Sequence, residues 1–129
     1  MKKILILAIL AMFCATVQAQ ENTAADQTKK EVIVDDYKIM KDEVVDGVRY
    51  VVAAPSATVC SKQIDIQIKD GIIESVVYTR GCDGNAKGIG ALIKGMSVEE
   101  AIRRLEGITC GRRPTSCPDQ LAKVLKSLN

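Results

Sequence analysis

Ile64, Ile66 and Ile68 alternate with Asp65, Gln67 and Lys69, and Asp70-Gly71 follows at once. A period of two puts every second side chain on one face, so this run reads as a half-buried strand. Asp-Gly between β-forming residues marks a tight hairpin turn, because both residues tolerate positive φ. Ile72 to Thr79 then returns as the partner strand. The same device occurs upstream, where Asp46-Gly47 separates Glu43-Val44-Val45 from the run Val48 to Ala53. Glu31 to Met40 is a candidate edge strand. The first half of the chain therefore predicts an antiparallel meander of three or four strands.

In the second half the period changes. Ala86, Ile89, Leu92 and Ile93 suggest a helix over residues 85–94 that stops at Gly95, although Gly88 and Gly90 weaken it by about 1 kcal/mol each against Ala. Ser97 and Glu100 form an S-x-x-E capping box. Val98, Ala101, Ile102 and Leu105 follow at i, i+3, i+4, i+7, with Glu99–Arg103 and Glu100–Arg104 as outer-face ion pairs. Gly107 ends that helix. A last helix begins near Pro118, with Leu121, Val124, Leu125 and Leu128 on one stripe. Strands followed by helices predict an α+β domain with its helices on one face of the sheet.

The first residues have a different character. Lys2-Lys3 precede an apolar run from Ile4 to Phe13, and Val17-Gln18-Ala19 offers a small-residue cleavage site. This is the layout of a secretory signal peptide over residues 1–19, and the run is too short to span a bilayer as a helix. A retained anchor and lipidation at Cys14 are the alternatives; Phe13 occupies the position where a lipobox needs a small residue. Residues 20–40 read as a polar spacer, and residues 41–129 as the folded domain. The implied location is the periplasm or the extracellular space. Removing the two signal lysines leaves 16 basic residues against 16 acidic ones, so the mature chain is neutral. Such a chain exerts no long-range pull on nucleic acid, and no membrane contact is expected after cleavage. Aromatic residues make up only 3%, too few for a base-stacking platform. The chain has no His, which excludes Ser-His-Asp and Cys-His catalysis and His-ligated metals.

The chemistry rests on four cysteines, Cys60, Cys82, Cys110 and Cys117. Each falls at the end of an element beside Gly, Pro or a polar turn residue, where side chains can converge. Three readings follow. In an exported chain four cysteines make two disulfides, with three connectivities. Thiolates can also hold Zn²⁺ or an iron–sulfur cluster. Finally, Cys117 as the N-cap of the last helix, with Pro118 at N1, would be an activated thiol, though no His is present to serve as its base. Gly81, Gly84, Gly88 and Gly90 lack the Lys-Ser/Thr of a phosphate loop and suit close backbone approach instead. Arg112-Arg113 and Arg103-Arg104 are anion-binding candidates whose plain reading is a solvated face. Asp83 and Asp119 sit beside thiols and can supplement ligation; the plain role for Asp119 is to favour a helix N-terminus.

Thr115-Ser116-Cys117-Pro118-Asp119 spells the motif of the TSCPD domain. Cys60-Ser61, Gly81-Cys82, Gly84-Asn85, Gly88-Ile89, Leu92-Ile93-Lys94-Gly95, Gly107-Ile108, Cys110-Gly111 and Gln120-Leu121 resemble that domain in order, over about residues 48–128. The domain also occurs at the C-terminal end of cobalamin-dependent ribonucleotide reductases. The resemblance therefore implies an accessory domain of ribonucleoside-diphosphate reductase. It does not imply the catalytic barrel, which a chain of 129 residues cannot contain. More distantly, the element order is similar to that of the NifU/IscU-like iron–sulfur cluster scaffolds. That likeness puts Cys60, Cys82 and Cys117 at cluster positions, with Cys110 as an added thiol. Lys62 and Ser116 stand where that family carries Asp and His.

Together these readings predict an exported domain that binds Zn or an iron–sulfur cluster through Cys60, Cys82, Cys110 and Cys117. No catalytic residue is assigned, and a protein partner is left open. The alternative is a disulfide-stapled interaction module without metal.

Overall fold

The computed structural model describes residues 36–129. The segments expected to be a signal peptide (1–19) and the first part of a spacer (20–35) lie outside the described residues. Strands β1 (Tyr37–Val45), β2 (Val48–Pro55), β3 (Gln63–Lys69) and β4 (Ile72–Thr79) precede helices α1 (Asp83–Ile93), α2 (Val98–Leu105) and α3 (Cys117–Ser127). The strands form one antiparallel sheet in the order β1-β2-β3-β4, and the three helices pack on it. This is the α+β meander that the sequence predicts.

Both hairpin turns have the geometry their Asp-Gly pairs require. Asp46 and Gly47 sit at φ 49° and 77°, and Asp70 and Gly71 at 50° and 74°. β1 begins at Tyr37, so the stretch Tyr37 to Met40, placed above in the spacer and also read as the end of a candidate edge strand, is part of the sheet. Its alternation is hard to read because the register shifts between Ile39 and Lys41, leaving Met40 as an extra residue.

The core-facing side of the sheet carries Val51, Ala53, Ile64, Ile66, Ile73 and Val76. The helices meet it with Ile93, Val98, Ala101, Leu121, Val124 and Leu125, all buried. Each such Ile, Val or Leu contributes roughly 1.5–3 kcal/mol on leaving water. α1 packs against β4, and Gly90 lets it come close. A Cβ at that position would lie 2.5 Å from the Val76 carbonyl oxygen. The glycine that weakens the helix by propensity is thus what seats it. α1 buries only a narrow strip, so Ile93 is covered, Ile89 is half-buried and Leu92 is 74% exposed. Leu92 does not belong to the inward stripe, because it lies about 100° round the helix from Ile93.

Ser97 caps α2 by accepting from the Glu100 N–H at 3.2 Å. The Glu100 carboxylate turns outward to Arg103 and Arg104, so the capping box is half formed and Glu100 replaces Glu99 as the partner of Arg103. The segment between α1 and α2 runs along the start of β4. Ile73 N–H donates to Met96 O at 2.9 Å, Gly95 N–H to Ile73 O at 2.8 Å and Val98 N–H to Gly71 O at 2.9 Å. Among the described residues, no helix is long and apolar enough to cross a membrane.

Candidate functional site

Four chain segments meet at one end of the sheet: the β2–β3 loop, the β4–α1 junction, the α2–α3 loop and the start of α3. Each brings one cysteine. Cys60, Cys82, Cys110 and Cys117 all line a single cavity of about 390 Å³. Cys60, Cys82 and Cys110 are exposed, and Cys117 is half-buried.

Local backbone chemistry explains each placement. Gly81 sits at φ 102°, and a Cβ there would lie 3.4 Å from Ser61 N and 3.6 Å from the Cys60 carbonyl carbon. Without that Cβ, the end of β4 closes on the Cys60–Ser61 backbone and delivers Cys82 beside it. Cys82 is the N-cap of α1 and makes no side-chain capping hydrogen bond, which leaves its thiol uncommitted. Cys110 lies in a tight turn closed by Arg113 N–H donating to Cys110 O at 3.1 Å, with Gly111 at φ 59°. Cys117 is the first residue of α3. The cap is Ser116, whose hydroxyl oxygen accepts from the Asp119 N–H at 3.2 Å. The N-cap role expected of Cys117 therefore belongs to its neighbour, because a hydroxyl accepts a backbone N–H better than a thiol does.

The sulfurs have polar company. The Ser61 hydroxyl donates to Cys117 Sγ at 3.2 Å, and Arg113 Nη1 donates to Cys60 Sγ at 3.1 Å. The Cys60 sulfur, as acceptor and then as charge, pushes the Arg113 guanidinium further toward its protonated form, with Cys110 and Cys117 adding at longer range. Tyr78 donates its hydroxyl to the Cys117 carbonyl at 3.3 Å. Burial, and then the nearby Cys117, push the Tyr78 hydroxyl well above the usual phenol range, so it stays a donor.

Behind the cavity the other letters of the motif hold the loops. Asp119 Oδ1 accepts from the Gly107 N–H at 2.7 Å and Oδ2 from the Thr115 hydroxyl at 2.6 Å. Burial alone would raise the Asp119 carboxyl; hydrogen bonds from Thr115, Gly107 and Lys123 outweigh it and hold the group below its usual range. Ser116 donates to Ile108 O at 2.6 Å. Gln120, fully buried, accepts from Ser56 N–H at 2.8 Å and donates to Thr115 Oγ1 at 3.0 Å and Asp36 Oδ1 at 2.8 Å. These bonds tie the Cys110 loop and the Cys60 loop to the first turn of α3. Asp119 is thus a clamp and no ligand. Asp83 pairs with Lys87 in the neighbouring cleft between β4 and α1.

The donor set suits a thiophilic metal, since four sulfurs and no carboxylate line the cavity. The four cysteines are unbonded. Among the described residues, no three Cys, Asp or Glu side chains stand within ligand reach of one ion, so the sulfurs line a wide space and do not enclose a point. Gln120, Thr115 and Ser61 escaped the sequence reading as site residues, and Arg113 was read there as an anion-binding candidate and not as a donor to a sulfur. Only their proximity to cysteines in the chain signalled them, and their bond partners were not legible.

The TSCPD domain family matches residues 35–129, which is most of the chain and includes every residue of the cavity. The chain belongs to the TSCPD domain family. No curated protein and no solved structure matches it. The expected likeness to NifU/IscU-like iron–sulfur scaffolds is shown by none of these comparisons. In this TSCPD domain the motif divides by role: Cys117 and Pro118 face the cavity, while Thr115 and Asp119 are buried in the clamp behind it.

Proposed function

We propose that this TSCPD domain is a metal-binding module whose ligands are the thiolates of Cys60, Cys82, Cys110 and Cys117. The observation that carries the reading is that four segments, separate in sequence, each contribute one cysteine to the same cavity. The bound species is Zn²⁺ or an iron–sulfur cluster, which would supply a crosslink in the first case and an electron-transfer centre in the second. Ser61 and Arg113 then act as hydrogen-bond donors to ligand sulfurs, a role that orients ligands and tunes their charge. The module acts as an accessory domain, a reading that rests on the place of TSCPD domains at the end of ribonucleotide reductases. We further propose that it is exported and cleaved after Ala19.

The deciding measurement is elemental analysis of the natively purified mature protein, joined to its mass before and after denaturation with alkylation. A stoichiometric metal and four alkylatable thiols are expected. A metal-free protein that resists alkylation until reduced would replace this reading with the disulfide-stapled module.

A further inference from the structure

The described residues contain six arginines, and they divide by place. Arg49 forks onto Asp42 through two bonds of 2.8 and 2.7 Å, and Arg103 and Arg104 share Glu100. Arg80, Arg112 and Arg113 have no carboxylate partner among the described residues. All three are exposed, and all three stand at the cysteine end. Arg80 lines the cavity, Arg113 touches Cys60, and Arg112 lies beside it on the loop of Cys110. No carboxylate lines that cavity.

Apolar side chains collect in the same place. Leu92, 74% exposed, and Ile108, 42% exposed, both line the cavity, one from α1 and one from the α2–α3 loop. Ile89 lies half-buried on the same wall. A mouth that joins exposed aliphatic side chains to unpaired guanidinium groups has the composition of a protein interface, where arginine offers paired hydrogen bonds to carboxylates.

We propose that the cavity mouth is a docking surface for a partner protein that presents an acidic segment bearing a large aliphatic side chain. Its carboxylates meet Arg80 and Arg112, and its apolar side chain seats between Leu92 and Ile108. Charge complementarity selects this occupant. A second copy of the chain meeting this face across a two-fold axis would bring the same three arginines together, like against like. A nucleic-acid strand would find aliphatic side chains where stacking needs aromatic ones. The inference rests on the rim and stands apart from the metal reading.

The test uses the full chain and a fluorescein-labelled peptide of glutamates around a Leu-Leu centre, beside a twin with Lys for every Glu. Fluorescence anisotropy should show binding of the acidic peptide alone, weakening as salt rises from about 0.05 to 0.5 M. Arg80→Gln with Arg112→Gln should weaken binding about tenfold or more, and Leu92→Ser should weaken it severalfold, with circular dichroism unchanged. The cysteine sulfurs take their side-chain hydrogen bonds from Ser61 and Arg113 and none from Arg80, Arg112 or Leu92, so metal content should stay at the wild-type level. The proposal is overturned if neither peptide binds, if the lysine twin binds as well, or if the variants bind like wild type. It is also overturned if a single-stranded oligonucleotide binds more tightly, or if light scattering shows a dimer that these substitutions split.

Discussion

Gln120 Oε1 accepts the backbone N–H of Ser56 at 2.8 Å, joining two residues 64 positions apart in the chain. The bond holds the loop that carries Cys60 against the helix that begins with Cys117. The same amide donates to Thr115 and Asp36, so every polar atom of a fully buried side chain is engaged.

Gln120→Met keeps the volume and removes all three bonds. It leaves the Ser56 N–H without its acceptor, and the expected loss is about 1–3 kcal/mol of unfolding free energy. Urea denaturation checks it. A variant as stable as wild type would show that the amide is a passenger.

Asp119 makes stability depend on pH. Its folded carboxyl lies below the ordinary value because of Thr115, Gly107 and Lys123, which together outweigh burial. A depressed carboxyl stabilises the fold fully above its unfolded value, about 3.9, and that contribution is lost as pH falls through the folded value. The gap between wild type and Asp119→Asn should therefore be wide at neutral pH and shrink below about pH 4. Paired melts at neutral and acid pH read it, and a gap that widens in acid contradicts the clamp.

Gly88 and Gly90, both inside α1, should respond in opposite directions. A Cβ at Gly90 meets the Val76 carbonyl at 2.5 Å, whereas one at Gly88 meets nothing within 4 Å. Gly90→Ala should cost about 1–3 kcal/mol through displacement of the helix. Gly88→Ala should gain up to about 1 kcal/mol from helix propensity. Thermal unfolding of the two variants gives the comparison.

For the thiols, Cys82→Ser or Cys117→Ser should remove most bound metal and cost several kcal/mol, because a structural metal is coupled to folding. Disulfides predict another pattern: a metal-free wild type, and a free partner thiol with a loss of about 2–5 kcal/mol in each variant. Metal analysis and thiol titration of the same samples separate the two.

Export has its own check. N-terminal sequencing of protein recovered from the cell envelope should begin at Gln20, the residue after the Val17-Gln18-Ala19 pattern. Cytoplasmic protein beginning at Met1 would overturn the assignment.

The parts of the fold legible in the sequence are those set by local chemistry. Ile64, Ile66 and Ile68 point inward as their alternation requires, both Asp-Gly pairs turn the chain, and Ser97 caps α2. The start of β1 was legible only as part of a candidate edge strand over Glu31 to Met40, because the bulge at Met40 breaks the period and an edge strand buries little. Leu92 misled because a helix packed on one strand buries a narrower strip than its apolar residues fill. The cysteines were legible as a set from their positions at element ends. What holds them was not, since Gln120–Ser56, Ser61–Cys117 and Arg113–Cys60 each span more than fifty residues, and no local pattern encodes such pairs.

The backbone of residues 95–98 lies along the first half of β4 like a short extra strand. An open strand edge is a template on which another chain can add and propagate, the first step toward fibrils. Here that template is already taken by the protein's own linker, and the opposite edge, β1, is interrupted by its bulge and lined with Lys38, Lys41, Asp42 and Glu43. Neither rim of the sheet therefore offers its full length as a flat run for a stranger to extend.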